Sequence, residues 1–433
     1  MNPTQPVIAV VGGGISGVIL TIALTRRGLN VQLYEQAAKF GEIGAGVAFG
    51  PNAVRAMGVC SPDVTRAFET VVTRNQSPEK QQVWFDFCDG FSDYPVGEEK
   101  VLFTLANEMG VMSVHRANFL DAMVKLVPDG ITQFNKRLES IEEPDSLNDK
   151  VKIKFQDGTE ALADAVIGCD GIKSRTRAWM LGQNHPGAKP VYTHKYAYRG
   201  LIPMEKAIEA LGEQNAKNAK MHLGRDGHFL TFPVQGGKTM NVVAFRTKSD
   251  PWPDQSRMTK PSTKEAAFAD FKDFGPTVQK IIELLEPNLD IWGIFDTGDH
   301  PMAAYNKGRV CVVGDAAHAT SPHHGAGAGI CIEDSAVLAE LLASPEIRAA
   351  GMRGFEAAFQ IFSDCRKERT QWLVQSSRRS GDLYEWRAKG VEDDFEKIGA
   401  ECKERCEKIW DGQIEDMCHD ALSCVATALQ RVN

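Results

Sequence analysis

The chain has 433 residues, 43% of them hydrophobic and 24% charged, and a formal net charge of −8. That length implies two or three domains around a sizeable core, and the negative balance excludes a surface built to attract nucleic acid or anionic membrane. No apolar run reaches the length of a membrane span, and ten scattered cysteines without paired CxxC spacing read as reduced structural thiols rather than metal ligands.

The opening residues MNPTQPVIAVVGGG lack the basic-then-apolar order of a secretion signal. The expectation is a cytoplasmic protein, monomeric or homodimeric, whose partners are small molecules. From residue 7 the sequence VIAVVGGGISGVILTIALTRRGLNVQLYE predicts a buried strand, a glycine turn, a helix and a second strand ending at Glu35. Gly12 permits the tight turn, Gly14 removes a Cβ that would hold a pyrophosphate off the backbone, and Gly17 lets the helix pack close. The free N–H groups of the helix start suit phosphate, and Glu35 is placed to accept ribose hydroxyls. These residues predict dinucleotide binding.

Two further junctions follow. DAVIGCDGIKSRTR (164–177) reads as a strand ending at Asp170-Gly171, and RVCVVGDAAH (309–318) as a strand ending at Gly314-Asp315. Three strand ends of this kind would meet at the carboxyl edge of one sheet, where α/β proteins hold ligands. Between them VWFDF (83–87), YAYRGLI (196–202) and MNVVAF (240–245) alternate as strands of a second sheet. SDPWPDQSRMTKPS (249–262) reads as a surface loop. The segment 353–433 has helical spacing, with RKERT (366–370) expected to face solvent.

This pattern resembles the single-component flavin-dependent aromatic hydroxylases, which share the p-hydroxybenzoate hydroxylase fold. FGEIGAGVAFGPNAVRAMG (40–58), SVHRANFLDAMVKLVPDGI (113–131), YAYRGLI, DGHFLTFPVQGGKTMNVVAF (226–245), the GDAAHATSPHHGAGAG loop (314–329) and SGDLYE (380–385) carry the likeness, which is strongest to the salicylate hydroxylase branch and spans nearly the whole chain. It implies an α/β fold: a Rossmann-like FAD-binding domain from 1–75, 108–182 and 288–365, a mixed-sheet substrate domain from 76–107 and 183–287, and C-terminal helices over 366–433 closing the back of the FAD domain. It also implies FAD as bound cofactor, NADH or NADPH as transient electron donor, and no metal. Gly12, Gly14, Gly17, Glu35, Arg116, Asp170 and Asp315 would hold the cofactor, with Ala48 and Ala328 along its isoalloxazine.

The implied reaction is hydroxylation of a small aromatic acid or phenol by dioxygen, with salicylate converted to catechol and carbon dioxide. Alternatives are hydroxylation of another phenol, without decarboxylation or with dearomatisation, and a flavoprotein without turnover that acts as a redox-responsive binding partner. An electron-rich ring needs a base or cation at its hydroxyl. The candidates are His228, Arg199, His323 and His324, with Leu230, Phe232 and Pro322 around them. His228, Leu230 and Phe232 would share one strand face by the period of two. His318 is expected to pack at a helix start. Dearomatising relatives carry tyrosine at the place of Phe232, and bacterial relatives an amide at the place of His324.

Overall fold

The structure, a computed structural model, describes residues 5–41, 46–144 and 146–431. Residues 42–45 of the segment 40–58 therefore lie outside the described residues. A six-stranded sheet runs in the order Asn306–Lys307, Val310–Val312, Ala165–Gly168, Val7–Val11, Asn30–Tyr34, Thr132–Gln133. The pairs from Val310–Val312 to Thr132–Gln133 are parallel. Its central strands are continuous apolar runs because both faces are covered. Ile8 and Val10 pack towards the helices Ile15–Arg26 and Gly327–Ala343, while Ala9 and Val11 pack against a three-stranded sheet carrying Ile141, Ile153 and Phe155. The three predicted strand ends are neighbours here, so Gly12, Asp170 and Asp315 emerge at one edge.

A second sheet of eight strands has the order Thr259–Thr263, Asn288–Asp296, Val191–Pro203, Thr239–Thr247, Gly227–Val234, Lys220–Gly224, Val83–Asp89, Val101–Ala106. Helices bearing Met204, Ala267, Val278 and Ile282 cover one face. The other face turns towards the glycine loops.

Four expectations are corrected. Asn288–Asp296 pairs with Val191–Pro203 and Thr259–Thr263, so it belongs to the second sheet, and the boundary placed at 288 falls after Asp296. Residues 259–262 of the supposed surface loop belong to that sheet's edge strand, Thr259–Thr263, and Trp252 is buried. One helix of 33 residues, Met352–Tyr384, runs through the boundary at 366. RKERT does not face solvent as a block: Arg366 is 1% exposed and Thr370 is fully buried. Arg366 and Arg369, three apart and so on one helix face, meet the buried Glu333 and Asp334 of Gly327–Ala343.

The C-terminal helices also reach beyond the nucleotide side. Ile398 and Cys402 of Phe395–Trp410 pack with Phe87 and Leu105 of the second sheet, whereas Ile414–Ser423 packs with the first core. Among the described residues no helix is long and apolar enough to cross a membrane.

Candidate active site

The nucleotide loop begins where Val7–Val11 ends. Gly12 has φ +109°, and a Cβ there would lie 2.3 Å from the carbonyl oxygen of Cys169. A Cβ on Gly17 would lie 1.9 Å from the Gly12 carbonyl oxygen, so the helix can start only if that position is bare. Gly14 caps Ile15–Arg26 without a side-chain hydrogen bond, leaving the first N–H groups of the helix for a ligand. Glu35 accepts hydrogen bonds from the backbone N–H of Gly13 and of Ala37, both at 2.6 Å, which holds its carboxylate beside the loop.

The other two junctions divide their labour differently from each other. The Asp170 carboxylate accepts from Ser174 Oγ and from the backbone N–H of Arg175 and Thr176, so it caps the helix Arg175–Leu181. Its neighbour Gly171 lines the cavity instead. Asp315, first residue of the short helix Asp315–His318, is exposed on the cavity wall, and among the described residues no group donates a hydrogen bond to its carboxylate. Gly14, Ala48, Arg116 and Ala328 line the same space, a cavity of about 310 Å³ between the two sheets.

The second sheet supplies the roof through its register. Arg199 pairs with Val243 and Val243 with Leu230, while Ala197 pairs with Phe245 and Phe245 with His228. These are adjacent rows of one face. Phe232 follows at the next alternate position, edge-on to Phe85 at 6.2 Å, and all three expected strand residues line the cavity.

Arg199 lies over the Trp292 ring at 4.7 Å from its centroid, and among the described residues its Nε has no hydrogen-bond partner. Burial, with the Arg116 guanidinium nearby, brings its pKa down to about 10, so it remains charged at neutral pH. Among the described residues no carboxylate pairs with it.

His228 is fully buried and stacks on Phe245 with centroids 4.5 Å apart. Its Nδ1 faces Glu385 at 3.2 Å and, among the described residues, its Nε2 has no partner. Burial lowers its pKa, and the Glu385 carboxylate opposes that. His323 lies 5.2 Å from His228 between ring centroids and, among the described residues, has neither nitrogen bonded; burial first, then the neighbouring His228 imidazole, hold it well below the usual imidazole range. His324 meets Ser376 and Ser380 through Nε2 at 2.9 and 3.0 Å, and burial brings its pKa down to about 3. Pro322, His323 and His324 all line the cavity. His318 does not: it bonds Asp334 at 2.6 Å, as expected of a packed histidine.

Among the described residues the grouping with metal-ligand reach is Cys88, Glu99 and His222, away from this cavity. The Glu99 oxygens are already taken by Lys220, Thr277 and His222. Residue-by-residue reading missed Glu385 and Trp292. SGDLYE drew attention as a likeness, but only the fold brings its last residue against His228.

The arrangement is that of a redox nucleotide enzyme, with a dinucleotide loop and an unengaged carboxylate on the floor and an apolar, cation-bearing roof. Residues 120–358 match the family described as FAD binding domain, and residues 10–52 match an NAD(P)-binding Rossmann-like domain. The FAD-dependent monooxygenase orf3 of Aspergillus niger is 46% identical over 95% of this chain and 94% of its own length. Salicylate hydroxylase asL1 of Sarocladium schorii is 41% identical over 96% of this chain and 90% of its own. A solved structure of a salicylate hydroxylase substrate complex superposes with a TM-score of 0.83 at 31% identity, covering 96% of this chain and 98% of that one. The chain belongs to the FAD-dependent monooxygenases of this family. FAD is its cofactor, and NAD(P)H its reductant.

Proposed function

We propose that this monooxygenase hydroxylates a phenolic acid, with salicylate the leading substrate and catechol the product. The observation that carries the reading is the pairing of Arg199, which among the described residues has no carboxylate partner, with the Nε2 of His228, unengaged among the same residues, on adjacent rows of an apolar roof. Arg199 would hold the carboxylate or phenolate by charge-assisted hydrogen bonds. His228 would take the phenolic proton at Nε2, making the ring a better nucleophile. Leu230, Phe232 and Pro322 would keep water from the ring, with His323 beside it.

Bound FAD, reduced by NAD(P)H, supplies the activation of dioxygen. One oxygen atom enters the ring and the other leaves as water. For salicylate the ring carbon bearing the carboxylate is hydroxylated, and loss of carbon dioxide restores aromaticity. The names of the relatives asL1 and the solved salicylate hydroxylase support the choice of substrate. Phe232 also supports it over dearomatisation, since a phenyl ring gives a phenolate no hydrogen bond.

A second reading, hydroxylation of a different phenol, is favoured by the fungal monooxygenase at 46% identity. A panel of hydroxybenzoates and neutral phenols, followed by NADH consumption and product analysis, decides between them. Catechol from salicylate supports the first reading. Tight coupling only with a neutral phenol replaces it with the second.

A further inference from the structure

Behind His228 a line of charged groups runs from the cavity to the surface. Glu385, directly after the helix Met352–Tyr384, is fully buried. One oxygen faces Nδ1 of His228 at 3.2 Å, and the other receives the Lys195 ammonium and the Thr247 hydroxyl. Lys195, 5% exposed, also meets Asp382 at 3.1 Å. Tyr384 and His323 close the remaining sides of the His228 ring, with His324 and Arg405 one layer beyond His323.

A buried ion pair contributes little to stability, because desolvation offsets the attraction. A buried carboxylate set against the imidazole, with a buried ammonium on its far oxygen, therefore points to a task other than folding. We propose that Glu385 is a positioning residue that holds His228 with its proton on Nδ1 and its Nε2 lone pair towards substrate, and that Lys195 limits how basic that nitrogen becomes. The proposal rests on the reading of His228 as the base for a phenolic substrate.

An ionised carboxylate can only accept, so the ring must turn an N–H to Glu385, and a neutral ring then has its acceptor on Nε2. When the phenolic O–H breaks, its electron pair stays on oxygen and its proton forms the Nε2–H bond. The resulting imidazolium lies between the phenolate and Glu385. Glu385 stabilises that cation and Lys195 opposes it. Charge balance is kept throughout: a carboxylate–ammonium pair before transfer gains a phenolate–imidazolium pair after it. The transfer itself therefore adds no net charge to the cavity.

The test uses the oxidised FAD-loaded enzyme and a nitro-substituted hydroxybenzoate, whose phenolate is read by difference absorbance as pH is raised. If Glu385 acts through His228, Glu385→Gln weakens the base and moves the ionisation midpoint up by about one pH unit, a tenfold change. Lys195→Met moves it down. A carboxylate acting directly on the phenolate through space gives the opposite sign, because removing a negative charge eases ionisation. A midpoint that falls or stays in Glu385→Gln overturns the proposal. FAD retention and melting temperature report whether each variant folds. Thr247→Val, which removes one donor to Glu385, carries the same expected sign as Lys195→Met if the latter fails to hold FAD. The His228→Ala midpoint separates the two layers. If it equals wild type, the base reading fails and the proposal with it. If His228→Ala shifts and Glu385→Gln does not, the base stands and the role of Glu385 falls.

Discussion

His323 rests on Gly381: a Cβ at position 381 would lie 2.6 Å from Cδ2 and 2.7 Å from Nε2 of the imidazole. A glycine inside a helix costs about 1 kcal/mol relative to alanine, so the bare position is a concession to the ring above it. Gly381→Ala should therefore push His323 into the cavity. The expected result is roughly tenfold weaker aromatic-ligand binding, comparable to the 1–3 kcal/mol of an overpacked site, with FAD retention unchanged. Ligand titration of the flavin spectrum checks both quantities. Wild-type ligand affinity would show that the ring yields freely.

Cofactor retention should depend on the two carboxylates that differ in engagement. Asp315→Ala removes acceptors to which no described residue donates, so its effect falls on FAD alone, about tenfold in affinity for a charge-assisted hydrogen bond. Glu35→Ala also releases the backbone N–H groups of Gly13 and Ala37, so both affinity and melting temperature of the apoprotein should drop. Fluorimetric FAD titration and apoprotein melting separate the two cases.

Arg199→Ala should raise the KM for an acidic phenol far more than that for a neutral one, by about ten- to a hundredfold for a lost charge-assisted contact. Arg199→Lys should recover only part, because an ammonium lacks the planar fork. Steady-state NADH oxidation with matched substrates, one carrying the carboxylate and one not, measures this. Equal losses with both would place the phenolate, rather than the carboxylate, at Arg199.

The buried imidazoles make stability sensitive to acid. His324 in the folded chain has a pKa of about 3 against an ordinary value of 6.5. The unfolded chain therefore binds the extra proton between those values, and stability falls as pH drops below 6.5. Each pH unit costs about 1.4 kcal/mol per such group. His324→Gln removes one of them while an amide can still reach Ser376 and Ser380. Between pH 6.5 and 5 the variant should lose about 2 kcal/mol less than wild type in chemical unfolding, with little difference at pH 7.5. Parallel curves would mean that this ring is not the neutral group assigned here.

Much of the floor of the site was legible in the sequence because its geometry is local. A turn at φ +109°, a helix start without a cap and an acid after the next strand are written within thirty residues. The alternation that put His228, Leu230 and Phe232 on one face is equally local. What escaped depends on contacts between distant segments. Asp170 looks like Asp315 in sequence, yet one caps a helix and the other faces the cavity, which depends on the N–H groups that follow. RKERT resembles a solvated helix face until the acidic pair of another helix is laid against it. Glu385 has no spacing relation to His228 at all.

One helix now has a meaning beyond packing. Arg366 grips Glu333 and Asp334, and Asp334 in turn receives the N–H of Gly314 at the cofactor loop. Gly381 supports His323, and Glu385 follows the helix end at His228. Met352–Tyr384 is thus a ruler with graduations at both halves of the reaction centre, separating Arg366 from Glu385 by roughly 28 Å at 1.5 Å per residue. Such a ruler is rotationally coded as well as linear. Removing a single residue between 367 and 380 shortens it only slightly, yet turns everything downstream by about 100°, so this stretch can accept substitutions on its outer face but no change of length.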